Sequence, residues 1–437
     1  MTSGGDTIAA IATAPGRAGV AVVRVSGPDA FDIARAMSDA EPVPGRFAFA
    51  FFRDPSRRDE GRIDSGLLLA FKSPHSYTGE DVVEFQCHGG SVTPRRVLDA
   101  AVSAGARPAR RGEFTLRAFL NGKLSLDAAE SVLDLVDAKT DRAADDALAG
   151  LAGGRMREVR AIYDSIVALA SQVEHALDID EGELPAGFTA SAARNLESIA
   201  SSIDAALVRL REGSLLREGA LVVIAGAPNA GKSSLLNALA GESRAIVSDV
   251  PGTTRDSIET WLDIEGFPVR LVDTAGLRDT GDAIEAEGVR RAEDLMAKAD
   301  LVVMLDPEAG PAAKVMPIQP KSDLVKDSGR GPLRVSSRTG EGLAALRHEI
   351  AERLSGNAGK PSGIQDGDVS SSADAAARRR FSTALLAARA ALPADAADLV
   401  LAGNAIRRAA APLGELLGAT YSDDLLDAVF SRFCVGK

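Results

Sequence analysis

The residues best suited to chemistry form the run Gly226-Ala227-Pro228-Asn229-Ala230-Gly231-Lys232-Ser233, in which a glycine pair brackets four residues and is followed by a lysine and a hydroxyl. That spacing lets backbone N–H groups wrap a β-phosphate, brings Lys232 to the β/γ oxygens and offers the Ser233 hydroxyl to Mg²⁺. A chance glycine turn is the competing reading. The flanks argue against it, because Leu221 to Ala225 reads as a buried strand and Ser234 to Leu239 as a helix. The chain is therefore expected to bind a nucleoside triphosphate.

Further segments follow in the order a nucleotide switch requires. A strand over Val269 to Val272 ends in Asp273-Thr274-Ala275-Gly276, which puts a carboxylate near Mg²⁺ and the Gly276 N–H near a γ-phosphate. Upstream, Gly252-Thr253-Thr254-Arg255-Asp256 carries two hydroxyls, of which Thr254 can complete the Mg²⁺ shell. In Lys321-Ser322-Asp323 the Asp323 carboxylate can accept from the N1–H and exocyclic amine of guanine, a donor pair that adenine lacks. Ser336-Ser337-Arg338, after a strand over Leu333 to Val335, fits a backbone loop at the guanine O6. GTP is the expected nucleotide, with Asn229, Ala230, Gly231, Ser234, Ser248, Asp249, Val250 and Pro251 completing its contacts.

Two positions depart from the usual pattern. The base-reading motif of GTPases is Asn-Lys-x-Asp, and here Pro320 stands first; it has neither the bracing amide nor an N–H, so looser guanine binding is expected. The place after Asp-x-x-Gly, often a water-orienting Gln, is Leu277. Glu285 is then the first candidate to act on the attacking water, beside Lys232 and Gly276, with a solvated surface glutamate as the bland alternative. Charge at the β/γ bridge also calls for a cation. Asn229 with the backbone around Ser248 and Val250 could hold a monovalent ion, and Arg255 or Arg278 compete for that role.

The elements that must position these groups can be read from texture. Residues 1–121 mix short β-like runs (Val20 to Val25, Leu67 to Phe71, Val82 to Phe85) with helices and turns, as in a compact α/β domain. From 122 to 218 the pattern is helical: Asp127 with Glu130 resembles a capping box, and Ile162, Ile166, Leu169, Val173 and Leu177 make one stripe. Ile199, Ile203, Ala206 and Leu210 make another. Strand and helix alternate over 219–355; in 356–437 a Gly-, Ser-, Asp- and Pro-rich linker over Gly356 to Ser372 comes first, and Ala373 to Leu392 and Asp395 to Leu417 are again helical. A nucleotide domain inserted into a discontinuous helical domain accounts for this order.

Composition limits the rest. The 437 residues are 26% charged and 45% hydrophobic, ordinary globular values, and the net charge of −12 argues against a broad basic nucleic-acid surface. No apolar run of membrane-spanning length or signal-like start occurs, so a cytoplasmic location is expected. The two cysteines, Cys87 and Cys434, lie too far apart in sequence to suggest a disulfide framework. The adjacent Cys87-His88 reads as packing rather than a metal site. Cys434-Val435-Gly436-Lys437 superficially resembles a prenylation box, but its last residue and the lack of a preceding basic cluster speak against one.

Together these motifs resemble the tRNA-modification GTPase family MnmE (TrmE). The resemblance also rests on Asp6-Thr7-Ile8, Pro15-Gly16-Arg17, Arg24-Val25-Ser26-Gly27, Tyr77-Thr78-Gly79-Glu80-Asp81, His88-Gly89-Gly90, Gly112-Glu113-Phe114, Arg117 to Asn121, Gly213 to Gly219 and the C-terminal Cys434-Val435-Gly436-Lys437. It implies an N-terminal α/β domain that dimerises and binds 5-formyl- or methylene-tetrahydrofolate, a discontinuous helical domain, and an inserted Ras-like GTPase domain stimulated by K⁺. It implies a homodimer that works with an FAD-dependent partner, MnmG (GidA), in a heterotetramer-type complex, adding aminomethyl-type groups at C5 of the wobble uridine of certain tRNAs. By matching position, Arg24, Glu84, Lys123 and Lys437 would contact the folate. Asn229, Ser248, Val250 and Thr253 would hold K⁺, Ser233 and Thr254 would hold Mg²⁺, Glu285 would act in hydrolysis, and Cys434 corresponds to the family's C-terminal cysteine. The Pro- and Ala-rich stretch Asp306 to Pro320 is shorter than the family's, which has a helix there. The alternatives are a ribosome-assembly GTPase without modification chemistry, which predicts a basic RNA-binding module, and a membrane-associated GTPase, which predicts a membrane-contacting segment. Neither feature is visible.

Overall fold

In the computed structural model the described residues are 5–57, 61–177, 187–242, 259–274, 290, 292–309, 314–324, 331–357, 373–393, 398–418, 430 and 433–436. The chain divides into two compact units, one of Met1–Leu133, Asp368–Arg380 and Ala419–Lys437, the other of Asp134–Gly367 and Phe381–Gly418.

The first unit is built on β1 (Ile8–Ile11), β2 (Ala21–Ser26), α1 (Ala30–Met37), β3 (Phe47–Arg53), β4 (Arg62–Phe71), β5 (Val82–Cys87), α2 (Thr93–Ser103), β6 (Arg107–Pro108), α3 (Glu113–Leu120) and the start of α4 (Leu126–Asp137). The sheet order is β3-β4-β5-β2-β1-β6, antiparallel except for the β1–β6 pair. In β2 the alternation sends Val23 and Val25 into the core and leaves Arg24 half-buried on the other face; in β5, Phe85 and Glu84 divide in the same way. Because the register sets Arg24 opposite Glu84, both charges emerge from one face. A slip of one residue would drive them into the core.

The second unit continues with α5 (Asp141–Leu151), α6 (Gly154–Leu177), α7 (Phe188–Glu218), β7 (Ala220–Ala225), α8 (Lys232–Glu242), β8 (Glu259–Ile264), β9 (Phe267–Asp273), β10 (Leu301–Met304), β11 (Val315–Gln319), β12 (Leu333–Arg334), α9 (Leu343–Asn357), the part of α10 (Ala373–Ala391) from Phe381 onward, its start belonging to the first unit, and α11 (Leu399–Gly418). Its sheet runs β12-β11-β10-β7-β9-β8, parallel except for the β8–β9 hairpin. β7, Ala-Leu-Val-Val-Ile-Ala, is buried at all six positions, as a central parallel strand covered on both faces must be. The shortened connection 305–314 still delivers β11 beside β10, in fewer residues than the dozen or more of an ordinary parallel crossover. Both expected helical stripes pack into one cluster with Phe381, Leu385, Ile406 and Leu413 from α10 and α11. Leu177, at the end of its stripe, is the exception and lies 41% exposed.

The expected capping box is displaced. α4 begins at Leu126, and it is the Ser125 hydroxyl that accepts from the Ala128 N–H at 3.2 Å. Asp127 is instead buried in the first turn, and Glu130 takes a bidentate pair of bonds from Arg380 at 3.0 and 2.8 Å. A serine two residues earlier reaches the free N–H groups, so the acidic pair is released for packing and pairing.

Candidate functional site

Every described segment of the expected nucleotide site leaves the carboxyl end of a parallel strand, where open α/β sheets hold their ligands. After β7 the loop begins at Gly226 with φ +148°, where a Cβ would lie 3.0 Å from that of Leu305, so a side chain there would be both strained and crowded. Lys232 opens α8 and is buried; its ammonium donates to the carbonyls of Gly226 (3.0 Å) and Ala227 (2.9 Å), folding back over the loop. The next residue, Ser233, donates its hydroxyl to Asp273 Oδ2 at 2.5 Å. Thr274 is anchored by a bond to the Ile224 carbonyl at 3.1 Å, while Ser234 is exposed. Sequence had assigned Ser233 and Asp273 separately to Mg²⁺, and the fold brings them together. A hydroxyl and a carboxylate at the mouth of a phosphate loop are hard oxygen donors of the kind Mg²⁺ takes alongside phosphate and water.

The base-reading end lies after β11 and β12. A cavity of about 430 Å³ opens between Ala230 and Gly231 on one side and Asp323 and Ser336 on the other, with Leu305 and Ile318 in its apolar lining. Asp323 Oδ1 accepts from the buried Ser336 hydroxyl at 2.7 Å, and Oδ2 pairs with Arg338 at 2.7 Å. The Ser336 bond, helped by the charge on Arg338, holds the carboxyl below its ordinary range despite partial desolvation, so it stands ionised as an acceptor. Ser337 is half-buried beside it and lines the same cavity.

Pro320 does not leave this loop without a tie to the phosphate loop. Lys321, in the left-handed region at φ +54°, donates its ammonium to the Asn229 carbonyl at 2.8 Å. Asn229 is itself left-handed, at φ +60°. The sequence signal for this brace was the cation beside Asp323, which the reading above used only as part of a motif. Ser248, Asp249, Val250, Pro251, Gly252, Thr253, Thr254, Arg255, Ala275, Gly276, Leu277, Arg278 and Glu285 lie outside the described residues, as does Lys437.

On the sheet of the first unit, Arg24 Nε donates to Glu84 Oε1 at 2.8 Å, with about a fifth of each side chain exposed (21% and 17%). The guanidinium also stands over the rings of Tyr77 (5.4 Å) and Phe114 (5.6 Å), an aromatic setting that motif reading did not reveal. Burial raises the Tyr77 hydroxyl above its ordinary range, and that hydroxyl is hydrogen-bonded to Thr115 at 2.8 Å. Lys123 donates to the Pro74 carbonyl at 3.0 Å and its stem passes Gly79. The loop between them is held by Arg117, which is 8% exposed and bonds Asp6, Glu80 and Glu113.

The C-terminal residues return to this unit. Arg111 donates to the Phe433 carbonyl at 2.8 Å, the Gly112 N–H points to the Cys434 carbonyl at 3.4 Å, and Gly436 (φ +105°) leaves no room for a Cβ against the Ile11 carbonyl at 2.3 Å. Ile11 follows Ala10, the register partner of Arg24, so the tail ends one strand away from the charged pair. Cys434 is exposed. Cys87 is buried, its thiol pushed up to about 11 by burial and by Asp64, and His88 bonds Asp64 at 2.8 Å. Among the described residues no cluster of three His, Cys, Asp or Glu side chains forms a metal site.

Comparison with known proteins places the chain in a family. Residues 7–123 match the family "GTP-binding protein TrmE N-terminus" and residues 126–434 the "MnmE helical domain". The tRNA modification GTPase MnmE of Neisseria meningitidis serogroup B is 40% identical, with 100% of both chains covered, and that of Stutzerimonas stutzeri is 41% identical, with 99% of both covered. Among solved structures, the G domain of the T. maritima FeoB iron transporter is 28% identical over 31% of this chain and 98% of its own, at a TM-score of 0.23, too weak a superposition to bear on the fold. The chain belongs to the MnmE (TrmE) family of tRNA modification GTPases.

Proposed function

We propose that this chain is the GTP-hydrolysing component of the complex that modifies C5 of the wobble uridine of certain tRNAs, drawing a one-carbon unit from 5-formyl- or methylene-tetrahydrofolate with an FAD-dependent MnmG-type partner. The observation that carries the reading is 40–41% identity over essentially the full length to relatives named tRNA modification GTPase, in a chain whose Ser233–Asp273 pair and Asp323 carboxylate sit at the carboxyl ends of one sheet. The ribosome-assembly alternative finds no support in those relatives.

In this reading residues 219–355 are the GTPase domain, 122–218 with 356–437 the helical domain, and 1–121 the folate-binding and dimerisation domain of a cytoplasmic homodimer. Among the described residues no helix is long and apolar enough to cross a membrane. Lys232 exchanges its two loop carbonyls for β/γ oxygens, and Ser233 with Thr254 binds Mg²⁺. Mg²⁺ bound there would neutralise charge on the β/γ oxygens. Asn229, Ser248, Val250 and Thr253 hold K⁺, Gly276 contacts the γ-phosphate, and Glu285 orients the attacking water. Arg24, Glu84, Lys123 and Lys437 bind the folate, with Cys434 at the edge of that site. A pre-paired Arg24–Glu84 supports this, because a half-buried cation and anion side by side can meet both the carboxylates and the ring N–H donors of a folate.

The test is nucleoside analysis of tRNA from cells lacking the protein. Loss of the modified wobble uridine is expected, and unmodified levels equal to wild type would overturn the reading. GTP turnover in K⁺ and Na⁺ at equal ionic strength tests the bound cation separately; equal rates would remove it and turn attention to Arg255 or Arg278.

A further inference from the structure

We propose that Glu341 is a positioning residue for base selection, tying the two base-reading turns together so that the Asp323 carboxylate is aimed at the nucleotide. The inference rests on the guanine reading of that carboxylate.

Glu341 meets each turn with a different group. Its Oε2 accepts from the Ser322 hydroxyl at 2.9 Å, on the short helical turn that carries Asp323. Its backbone carbonyl accepts from the Ser336 N–H at 2.9 Å, on the turn that follows β12. The two turns meet again where the Ser336 hydroxyl donates to Asp323 Oδ1 at 2.7 Å, so Ser322, Asp323, Ser336 and Glu341 close a ring. Ser322 and Ser336 are 4% and 0% exposed, which leaves the Ser322 hydroxyl little solvent to turn to if its acceptor is removed. The Glu341 backbone is fixed as well. Its N–H donates to the Thr339 hydroxyl at 3.3 Å, and at Gly342 (φ +77°) a Cβ would stand 2.0 Å from the Arg334 carbonyl oxygen. Asp323 and Ser336 line the cavity and Glu341 does not, so Glu341 acts on the base only through them. A contact that merely stabilised the fold would affect every nucleotide alike. One that aims a carboxylate affects the nucleotide whose base donates to it.

Competition titrations of the full-length protein with GDP and ADP against a fluorescent GDP analogue test this, using wild type, Glu341→Ala, Glu341→Gln, Ser322→Ala, the Ser322→Ala/Glu341→Ala double variant and Asp323→Asn. Adenine lacks the donor pair that Asp323 accepts from, so ADP reads the phosphate side alone. Glu341→Ala keeps the backbone carbonyl and orphans a buried hydroxyl. Since the lost bond is charge-assisted but its carboxylate is exposed, GDP should bind about three- to tenfold more weakly. ADP affinity should stay at the wild-type value, lowering the GDP/ADP ratio by the same factor. Glu341→Gln, whose amide oxygen still accepts, should recover most of the loss. Ser322→Ala leaves no orphaned hydroxyl and should lose less than Glu341→Ala, with the double variant matching Ser322→Ala. An unchanged GDP/ADP ratio, equal losses for both nucleotides, or additive losses in the double variant would overturn the role of Glu341. Asp323→Asn separates the two claims. If it abolishes the GDP preference while Glu341→Ala retains it, only the positioning role fails; if it leaves the preference intact, the guanine reading fails with it.

Discussion

Lys321 joins two loops that the sequence alone leaves apart. Its ammonium on the Asn229 carbonyl ties the base-reading turn to the phosphate loop, in place of the amide that Pro320 cannot provide. Lys321→Met keeps the stem and removes the donor. A charge-assisted bond of about 1.5–3 kcal/mol, reduced by its exposure, corresponds to roughly tenfold weaker GDP binding with little change in thermal stability. Titration calorimetry with a thermal melt checks both halves, and equal affinity would show that Pro320 needs no substitute. The carboxylates of the first unit give a second prediction, in pH. Arg107 holds Asp6 below its usual range, and although burial pushes the Glu113 carboxyl up, bonds from Arg107 and the Arg110 N–H outweigh it and hold it low. Groups depressed on folding stabilise the native state above their unfolded values and lose that contribution as pH falls through the folded ones. The thermal midpoint should thus hold from neutrality to about pH 5 and fall below about pH 4, where free carboxyls protonate. Glu113→Gln should lower it at pH 7 and flatten the acid slope.

At the scale of elements, the β8–β9 hairpin connects the nucleotide edge of its sheet with the helical part of the same unit. β9 runs from Phe267 to Asp273, so the strand that carries the Asp273 carboxylate starts at a turn clasped by α5. Thr140 caps α5 by accepting from the Ala143 N–H at 3.2 Å and donates to the Gly266 carbonyl at 2.7 Å, one hydroxyl serving both. Lys139 lies 3.9 Å from the ring of Trp261, and Arg142 lies 4.2 Å from that of Phe267. Thr140→Ala removes the cap and the clasp together and should cost about 1–2 kcal/mol. Trp261 is the sole tryptophan, so its emission in a denaturant titration reports on this hairpin directly; an unchanged midpoint would deny the clasp any energetic weight. Such contacts explain what was legible beforehand and what was not. The phosphate loop, Asp273 and Asp323 sit at fixed places in local motifs, so their elements followed from spacing and apolar runs. The partner of each did not, because Thr140 with Gly266, Arg24 with Tyr77 and Lys321 with Asn229 are separated by 126, 53 and 92 positions, and only the fold closes those distances. The capping box at Asp127 failed for a local reason, a better hydroxyl two residues earlier.

At the scale of the whole molecule, the chain leaves its first unit after Leu133, returns to it over Asp368–Arg380 and again from Ala419, so that unit takes residues from both ends of the sequence. The closing cluster is small: Leu126, Ala129 and Leu133 from α4 pack with Phe430 and Phe433, whose rings lie 5.7 Å apart. Phe433 is fully buried, and the tail that follows it runs to Gly436 against Ile11. Phe433→Ala should therefore destabilise the first unit by about 3–5 kcal/mol through lost burial and an unfilled cavity. It should also loosen the anchoring of Cys434 and Gly436, since Arg111 holds the tail through the Phe433 carbonyl. The nucleotide site belongs to the second unit, whose clusters are built from other residues. The expected outcome is a split response: a lower first melting transition and weaker binding of 5-formyl-tetrahydrofolate, with GDP affinity within about twofold of wild type, since sites without shared partners respond independently. Parallel loss of GDP binding would mean that the two units do not fold on separate cores, and that the C-terminal phenylalanines stabilise the nucleotide domain as well.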